Sequence, residues 1–351
     1  MSWLRIILLP FAILYGFIVW VRNLFFDYGI LPSESFHIPV ISVGNLSVGG
    51  TGKTPHVEYL AGCLKDRYTI GVLSRGYKRK TRGYVVVRQD SGTMDVGDEP
   101  LQVKRKFPEV HVAVHENRRR GIRALLHEFP DIDLILLDDA FQHRYVKPGL
   151  NLLLTGYYNP FFRSFLLPVG NLRESKKGAG RADAIIVSKT PKVFSPLDRR
   201  YFLKRIGRYH SKDVFFSRLH YKQMLPLTVE TPVAPPLSIK TIFLLTGIAN
   251  PTSLEEYLKT LCQELVVHRY PDHHAFNEGN LLRLQRDYKE AISHCKIIVT
   301  TEKDAMRLRD RALLNIFEDI PVYYLPIEVV FHEEDKLAFN NLLSEFLSRY
   351  R

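Results

Sequence analysis

Apolar positions divide the chain into regions with different periods. Residues 6–21 form an uncharged run between Arg5 and Arg22. Beyond it, short runs of Val, Ile and Leu alternate with amphipathic segments. The runs predict strands at 38–43 ("IPVISV"), 69–74, 83–87, 110–114, 134–139 ("LILLDD"), 151–155 and 183–188. The amphipathic segments predict helices at 53–66, 98–107, 118–129 and 195–206. Near-continuous apolar runs are strands buried on both faces, so the sheet is mostly parallel and lies between helices. Such alternation marks an α/β fold. The stretch "KQMLPLTVETPVAPPLS" (222–238) breaks the pattern, is rich in proline and reads as a linker. A second α/β pattern follows. It has strands at 241–246, 265–270, 296–301 and 322–329, helices from Pro251, near 278–293 and near 303–313, and a last helix. The expected organisation is an N-terminal helix (1–30), a first domain (31–221), the linker (222–238) and a smaller C-terminal α/β domain (239–351).

The first run is the exception to globular chemistry. A spanning helix needs ~20 apolar residues, so the run is marginal, and Pro10 lies inside it. No small-x-small cleavage site follows, which argues against a signal peptide. The favoured reading is membrane association, interfacial or shallowly inserted. Trp3, Tyr15 and Trp20 would sit at headgroup depth, and the arginines would face anionic lipid. A buried core helix is the alternative.

Composition sharpens the choice of partner. The 351 residues carry 49 basic and 37 acidic side chains, a formal net charge of +12, which points to anionic partners. The basic run "KRKTR" (78–82) has no nucleic-acid recognition motif beside it and reads as a solvated face, so no nucleic acid is expected. Cys63, Cys262 and Cys295 form no C-x-x-C pair and suit a reducing compartment.

The candidate chemistry centres on "SVGGTGKT" (47–54). The loop follows a buried strand and opens a helix, the context a phosphate-binding loop requires. Backbone N–H groups of Gly49, Gly50, Thr51 and Gly52 would face phosphate oxygens, and the helix start adds positive potential. Lys53 can reach the β- and γ-phosphates, and Thr54 can place its hydroxyl on Mg²⁺. Ser47 replaces the usual first glycine, leaving Gly44, Gly49 and Gly50 to supply the bend. Asp138 and Asp139 end a predicted strand, where such a site needs acid to hold the metal. "VGDEP" places Asp98 and Glu99 at a helix start, where acids also serve as caps. "YPDHHAF" offers Asp272, His273 and His274. A histidine there could pair with a first-domain carboxylate and raise its basicity, or the group could bind metal. Arg75, Arg118, Arg119 and Arg120 fall near strand ends, where α/β sheets bind ligands. A GTPase is disfavoured, because no N-K-x-D motif follows; "VSKTP" (187–191) and "TEKDA" (301–305) are the nearest matches.

Taken together, "SVGNLSVGGTGKTP", "SRGY", "GDEP", "NRR", "DDAFQHR", "PVGNLRE", "TGIANP", "DHHAF" and "TTEKDA" occur in an order that resembles the tetraacyldisaccharide 4'-kinases of lipid A biosynthesis. The resemblance implies a P-loop NTPase-type, mostly parallel sheet flanked by helices, with a second smaller α/β domain and a membrane-associated N-terminal helix. It implies transfer of the ATP γ-phosphoryl group, with Mg²⁺, to the 4'-hydroxyl of an acylated glucosamine disaccharide 1-phosphate. It places the protein on the cytoplasmic face of the inner membrane, against anionic lipid and without an obligate protein partner. It also matches Asp98 to the catalytic base, His273 to its assisting histidine, and Lys53 and Thr54 to the triphosphate and metal residues. Asp138 and Asp139 match metal-side acids. Arg75, Tyr77, Glu99, Arg119, His143, Arg173 and Glu174 match positions lining the substrate cleft. Lys303 and Asp304 of "TEKD" match a motif without an assigned role. The family's loop also lacks the first glycine, so Ser47 is no departure within it.

Overall fold

The computed structural model describes residues 7–228, 230–309, 311–317 and 319–350. Its larger sheet has nine strands in the order β14-β8-β7-β6-β1-β5-β2-β4-β3. These are β1 (Val40–Asn45), β2 (Ile70–Ser74), β3 (Val85–Val87), β4 (His111–Val114), β5 (Leu134–Asp138), β6 (Leu150–Gly156), β7 (Ala184–Ser188), β8 (Asp213–Tyr221) and β14 (Ile327–Phe331). The interior pairs are parallel, and the two edge strands, β3 and β14, are antiparallel. Every residue of β1, β2, β5 and β7 is buried, as the unbroken apolar runs require. The smaller sheet has the order β11-β10-β12-β13-β9, with β9 (Leu225–Pro226), β10 (Ile239–Thr246), β11 (Cys262–Arg269), β12 (Lys296–Thr301) and β13 (Val322–Leu325).

Helices begin where side chains can cap them. The helix Arg118–Glu128 starts at Asn117, whose side chain accepts from the Arg120 N–H. The helix Pro196–Ile206 has Ser195 as its cap and proline in its first turn.

Three features depart from the sequence pattern. The run 322–329 is not one strand. Pro326 has no N–H to continue a ladder; β13 ends before it, and β14 joins the larger sheet beside β8. The final helix, Glu333–Ser348, follows β14, and its Asp335 is gripped by Arg199 at 2.8 and 2.7 Å. The tail therefore packs with the larger sheet, and the chain crosses between sheets twice. The proline-rich stretch is not wholly irregular, since β9 pairs with β13. The third departure is β8, which the pattern did not predict because its "DVFFSRLHY" mixes buried and exposed positions.

The N-terminal helix spans Leu9–Asp27, with Pro10 in its first turn, where a missing N–H costs nothing. It docks along one stripe. Tyr15 Oη donates to the Arg173 carbonyl at 2.7 Å, Arg22 to the Gln142 carbonyl at 2.9 Å, and Asn23 to Glu174 at 3.1 Å. Phe26 packs edge-on against Tyr145. Tyr15 and Arg22 thus face the protein, not headgroups, because their polar atoms find carbonyls there. Trp3 and Arg5 lie outside the described residues. The rest of the helix is bare: Phe11, Ile13, Leu14, Phe17, Ile18 and Trp20 are each more than half exposed. A buried core helix is therefore excluded.

One close approach fixes the centre of the larger sheet. A Cβ on Gly44 would sit 2.6 Å from Phe141 Cβ and 2.7 Å from the Phe141 backbone nitrogen. Backbone cannot swing aside as a side chain can, so Gly44→Ala is expected to cost on the order of 1–3 kcal/mol. Urea denaturation would measure this.

Candidate active site

The site forms at the C-terminal ends of β1, β2 and β5, where open α/β sheets bind ligands. After β1, Ser47 is not a bend. It forms an antiparallel bridge with Leu172, and the neighbouring Val48 N–H donates to the Asn171 carbonyl at 2.8 Å. The turn falls later, at Gly49 (φ 108°) and Gly52 (φ 83°), conformations open to glycine. Gly44 and Gly50 are not left-handed, so two of the three glycines expected to bend the loop do not do so. Thr51 is held on both sides: Asn45 donates to its hydroxyl at 2.9 Å, and Ser188 Oγ donates to its carbonyl at 2.7 Å. The helix Lys53–Leu64 follows.

The paired aspartates after this loop separate in role. Thr54 Oγ1 donates to Asp138 Oδ2 at 3.1 Å. Asp139 has a left-handed backbone (φ 48°) that turns its carboxylate elsewhere. It lies 3.7 Å from Lys53 Nζ and takes a two-pronged contact from Arg173 at 2.8 and 3.1 Å. Burial pushes the Asp138 carboxyl up to about 7, helped by the charges of Glu99 and Asp139. Its Oδ1 is buried without a hydrogen-bond partner among the described residues. A buried acid that is hydroxyl-bonded on one oxygen and has the other free of partners fits a cation ligand. Asp138 and Thr54 are the residues that fit Mg²⁺; Asp139 is committed to Lys53 and Arg173.

A second cluster joins the two sheets. Asp98 begins the helix Asp98–Lys106 and is only 5% exposed. His273 Nδ1 lies 3.0 Å from Asp98 Oδ2. Arg307 Nε donates to the same oxygen at 2.9 Å, and its Nη2 makes a second, closer contact. Among the described residues, Asp98 Oδ1 accepts only the Glu99 N–H, at 2.9 Å. Lys303 Nζ lies 3.0 Å from His273 Nε2 and 3.2 Å from Glu99. An ammonium has no acceptor, so Nε2 accepts and Nδ1 carries the proton given to Asp98. Burial raises the affinity of Asp98 for a proton, but the His273 hydrogen bond, Lys303 and Arg307 outweigh it and hold the carboxyl well below the usual range. Pairing thus keeps Asp98 ionised and lowers its basicity, the reverse of the sequence expectation. His273, not His274, makes the contact; His274 stacks on Tyr270 and bonds to Asn280 at 2.8 Å.

The "TEKD" segment gains a structural part here. Asp304 accepts the Gly247 N–H at 3.0 Å and pairs with Arg307 at 2.6 Å, so it aims the guanidinium that grips Asp98. Arg307 escaped the sequence reading. Its signal was present: an acid and an arginine at i, i+3 on a helix opening at a strand's C-terminal end.

The remaining expected residues distribute unevenly. Tyr77 sits edge-on to the His273 ring at 4.9 Å. Arg75 is exposed, and no ion pair to it occurs among the described residues. Arg119 pairs instead with Glu34 at 3.7 Å, whereas the adjacent Arg118 is 2% exposed and donates to the Asp138 carbonyl at 2.9 Å. Glu174 is also 2% exposed, held by Gln142, Asn23 and Arg181, so it braces the loop and the N-terminal helix from inside.

A carboxylate held with its own imidazole and guanidinium opposite a phosphate loop suits an acceptor hydroxyl, which a nucleotide switch does not need. The class defined is a P-loop kinase. The family model for LpxK, tetraacyldisaccharide-1-P 4'-kinase, matches residues 4–347, and the chain belongs to that family. It is 46% identical to a tetraacyldisaccharide 4'-kinase of Flavobacterium psychrophilum, covering 96% of this chain and 95% of the relative. A tetraacyldisaccharide 4'-kinase of Parabacteroides distasonis is 44% identical, covering 96% and 93%. Among solved structures, LpxK from Aquifex aeolicus in complex with ATP is similar, with a TM-score of 0.73, 30% identity, and 98% and 99% coverage.

His143 supplies a pH signature. Burial, then the charges of Arg118 and Arg75, push it down to about 3. The folded protein keeps it neutral while the unfolded chain protonates near pH 6.5. Its contribution to stability is therefore intact above pH 6.5 and is lost as pH falls toward 3. His143→Gln is expected to flatten the decline of unfolding free energy between pH 6.5 and 4, measured by urea titration at each pH.

Proposed function

We propose that the chain transfers the γ-phosphoryl group of ATP to the 4'-hydroxyl of an acylated glucosamine disaccharide 1-phosphate, giving the lipid IV_A-type precursor. The single observation that carries the reading is the Asp98 cluster, to which both sheets contribute and whose neighbouring Glu99 charge bears on Asp138 beside the phosphate loop. Lys53 and the loop N–H groups bind the triphosphate. Thr54 and Asp138 would hold Mg²⁺, which when bound neutralises charge on the β- and γ-oxygens. Arg173 aligns Asp139, which in turn orients Lys53. Asp98 accepts the sugar hydroxyl proton through Oδ1, the oxygen with the spare lone pairs. Its weak basicity suits the reaction, because phosphoryl transfer depends on positioning and charge neutralisation more than on base strength. His273 and Arg307 position Asp98, and Lys303 holds the His273 tautomer. Arg75, Tyr77, Glu99 and His143 face the substrate headgroup.

The lipid explains the bare helix. Its exposed apolar face enters the cytoplasmic leaflet of the inner membrane, while its polar stripe fastens it to the Arg173 and Gln142 loops beside the site. Acceptor and nucleotide then meet at the bilayer surface.

Two outcomes are expected. Asp98→Ala should lower kcat by about 10²- to 10⁴-fold while moving the KM for ATP little; near-normal turnover would remove Asp98 from the base role. Phe11→Ser, Phe17→Ser and Trp20→Ser combined should reduce binding to anionic vesicles by well over about tenfold, since each buried aromatic is worth roughly 1.5–3 kcal/mol. Nucleotide affinity should stay unchanged. Undiminished vesicle binding would refute the membrane role of the helix.

A further inference from the structure

Lys189 lies in "VSKTP", immediately after β7. Its neighbour Ser188 is fully buried and donates to the Thr51 carbonyl at 2.7 Å, so the end of β7 is tied to the phosphate loop. Lys189 itself has a left-handed backbone (φ 59°), uncommon for a residue with a side chain. That turn carries its ammonium over the loop, 3.9 Å from where a Cβ on Gly50 would stand. The side chain is half-buried, and no hydrogen bond or ion pair to it occurs among the described residues. Burial pushes its pKa down, and the cations Lys53 and Lys303 push it further; Asp272 opposes them. A half-buried ammonium that lies beside other cations, with no ion pair among the described residues, is placed to take an anion.

The position over Gly50 says which anion. In a phosphate loop the glycine-rich backbone cradles the α- and β-phosphates, while the lysine corresponding to Lys53 reaches the β and γ. We infer that Lys189 is a nucleotide-binding residue whose ammonium contacts the α/β-phosphate end shared by ATP and ADP, from the β7 side of the loop. The inference rests on the ATP-kinase reading above. A contact made equally before and during transfer contributes to affinity and not to turnover. It also means that nucleotide binding relieves like charge at Lys189 that Asp272 offsets only in part.

The test compares full-length wild type, Lys189→Met, Lys189→Arg and Lys53→Met. Dissociation constants for Mg·ADP and for Mg·β,γ-methylene-ATP are measured by calorimetry, with kcat at saturating ATP and the melting temperature of each nucleotide-free protein. Lys189→Met should weaken both nucleotides by about tenfold or more, leave kcat within about threefold, and melt at or above wild type. Lys189→Arg should keep most of the affinity. Wild-type affinity for ADP in Lys189→Met overturns the inference, as does a loss confined to the ATP analogue. Lost affinity with a melting temperature well below wild type also overturns it, by assigning Lys189 to the fold. Failure of wild type to bind either nucleotide strikes the ATP reading instead, and Lys53→Met calibrates what lost binding looks like.

Discussion

A buried carboxylate must have partners, and the partners of Asp98 come from the other sheet. Asp98 opens a helix of the larger sheet's layer, whereas His273 and Arg307 follow strands of the smaller one. Removing either partner would leave a charge out of water only partly compensated, which is destabilising. The docking of the two sheets and the ionisation of Asp98 are thus one constraint. A second link runs through Lys106, which pairs with Glu58 at 2.6 Å and Glu302 at 3.3 Å. Glu302 begins the same short helix that carries Lys303, Asp304 and Arg307. That helix is the hub through which the smaller sheet reaches the chemistry.

The nucleotide side is built on the opposite imbalance. Asp138 is held near its own titration point by burial and neighbouring acid. The fully buried Arg118 is pushed down to about 10 by burial, despite the opposing charges of Asp139 and Asp138. These groups are positioned by backbone: a carbonyl for Arg118, left-handed turns at Asp139 and Lys189. Charges fixed in advance cost no reorganisation when a polyphosphate and its cation arrive. The N-terminal helix is tied to the same loops, which holds its apolar face beside the site.

Much of this was legible in the sequence, because the signals are local. Buried parallel strands announce themselves as unbroken Val/Ile/Leu runs, and the loop from Gly49 to Thr54 carries its own chemistry. What escaped depends on contacts distant in sequence. The split at Pro326 sends one apolar run to two sheets, which periodicity cannot reveal. Arg307 and Lys303 acquire meaning only beside Asp98, some two hundred positions away. Glu174 and Arg119 resemble cleft residues by motif, yet one is sealed inside and the other pairs with Glu34. The basicity of Asp98 reversed for the same reason: a histidine beside a carboxylate can be read either way until Lys303 fixes which nitrogen bears the proton.

A site built from both sheets phosphorylates a lipid sugar. The most direct measurement incubates the purified protein with γ-labelled ATP and an acylated glucosamine disaccharide 1-phosphate, then locates the label. The expected product is a lipid labelled at the 4'-position, with ATP preferred over GTP. Label released only as inorganic phosphate, or lodged at any other position of the disaccharide, would contradict it.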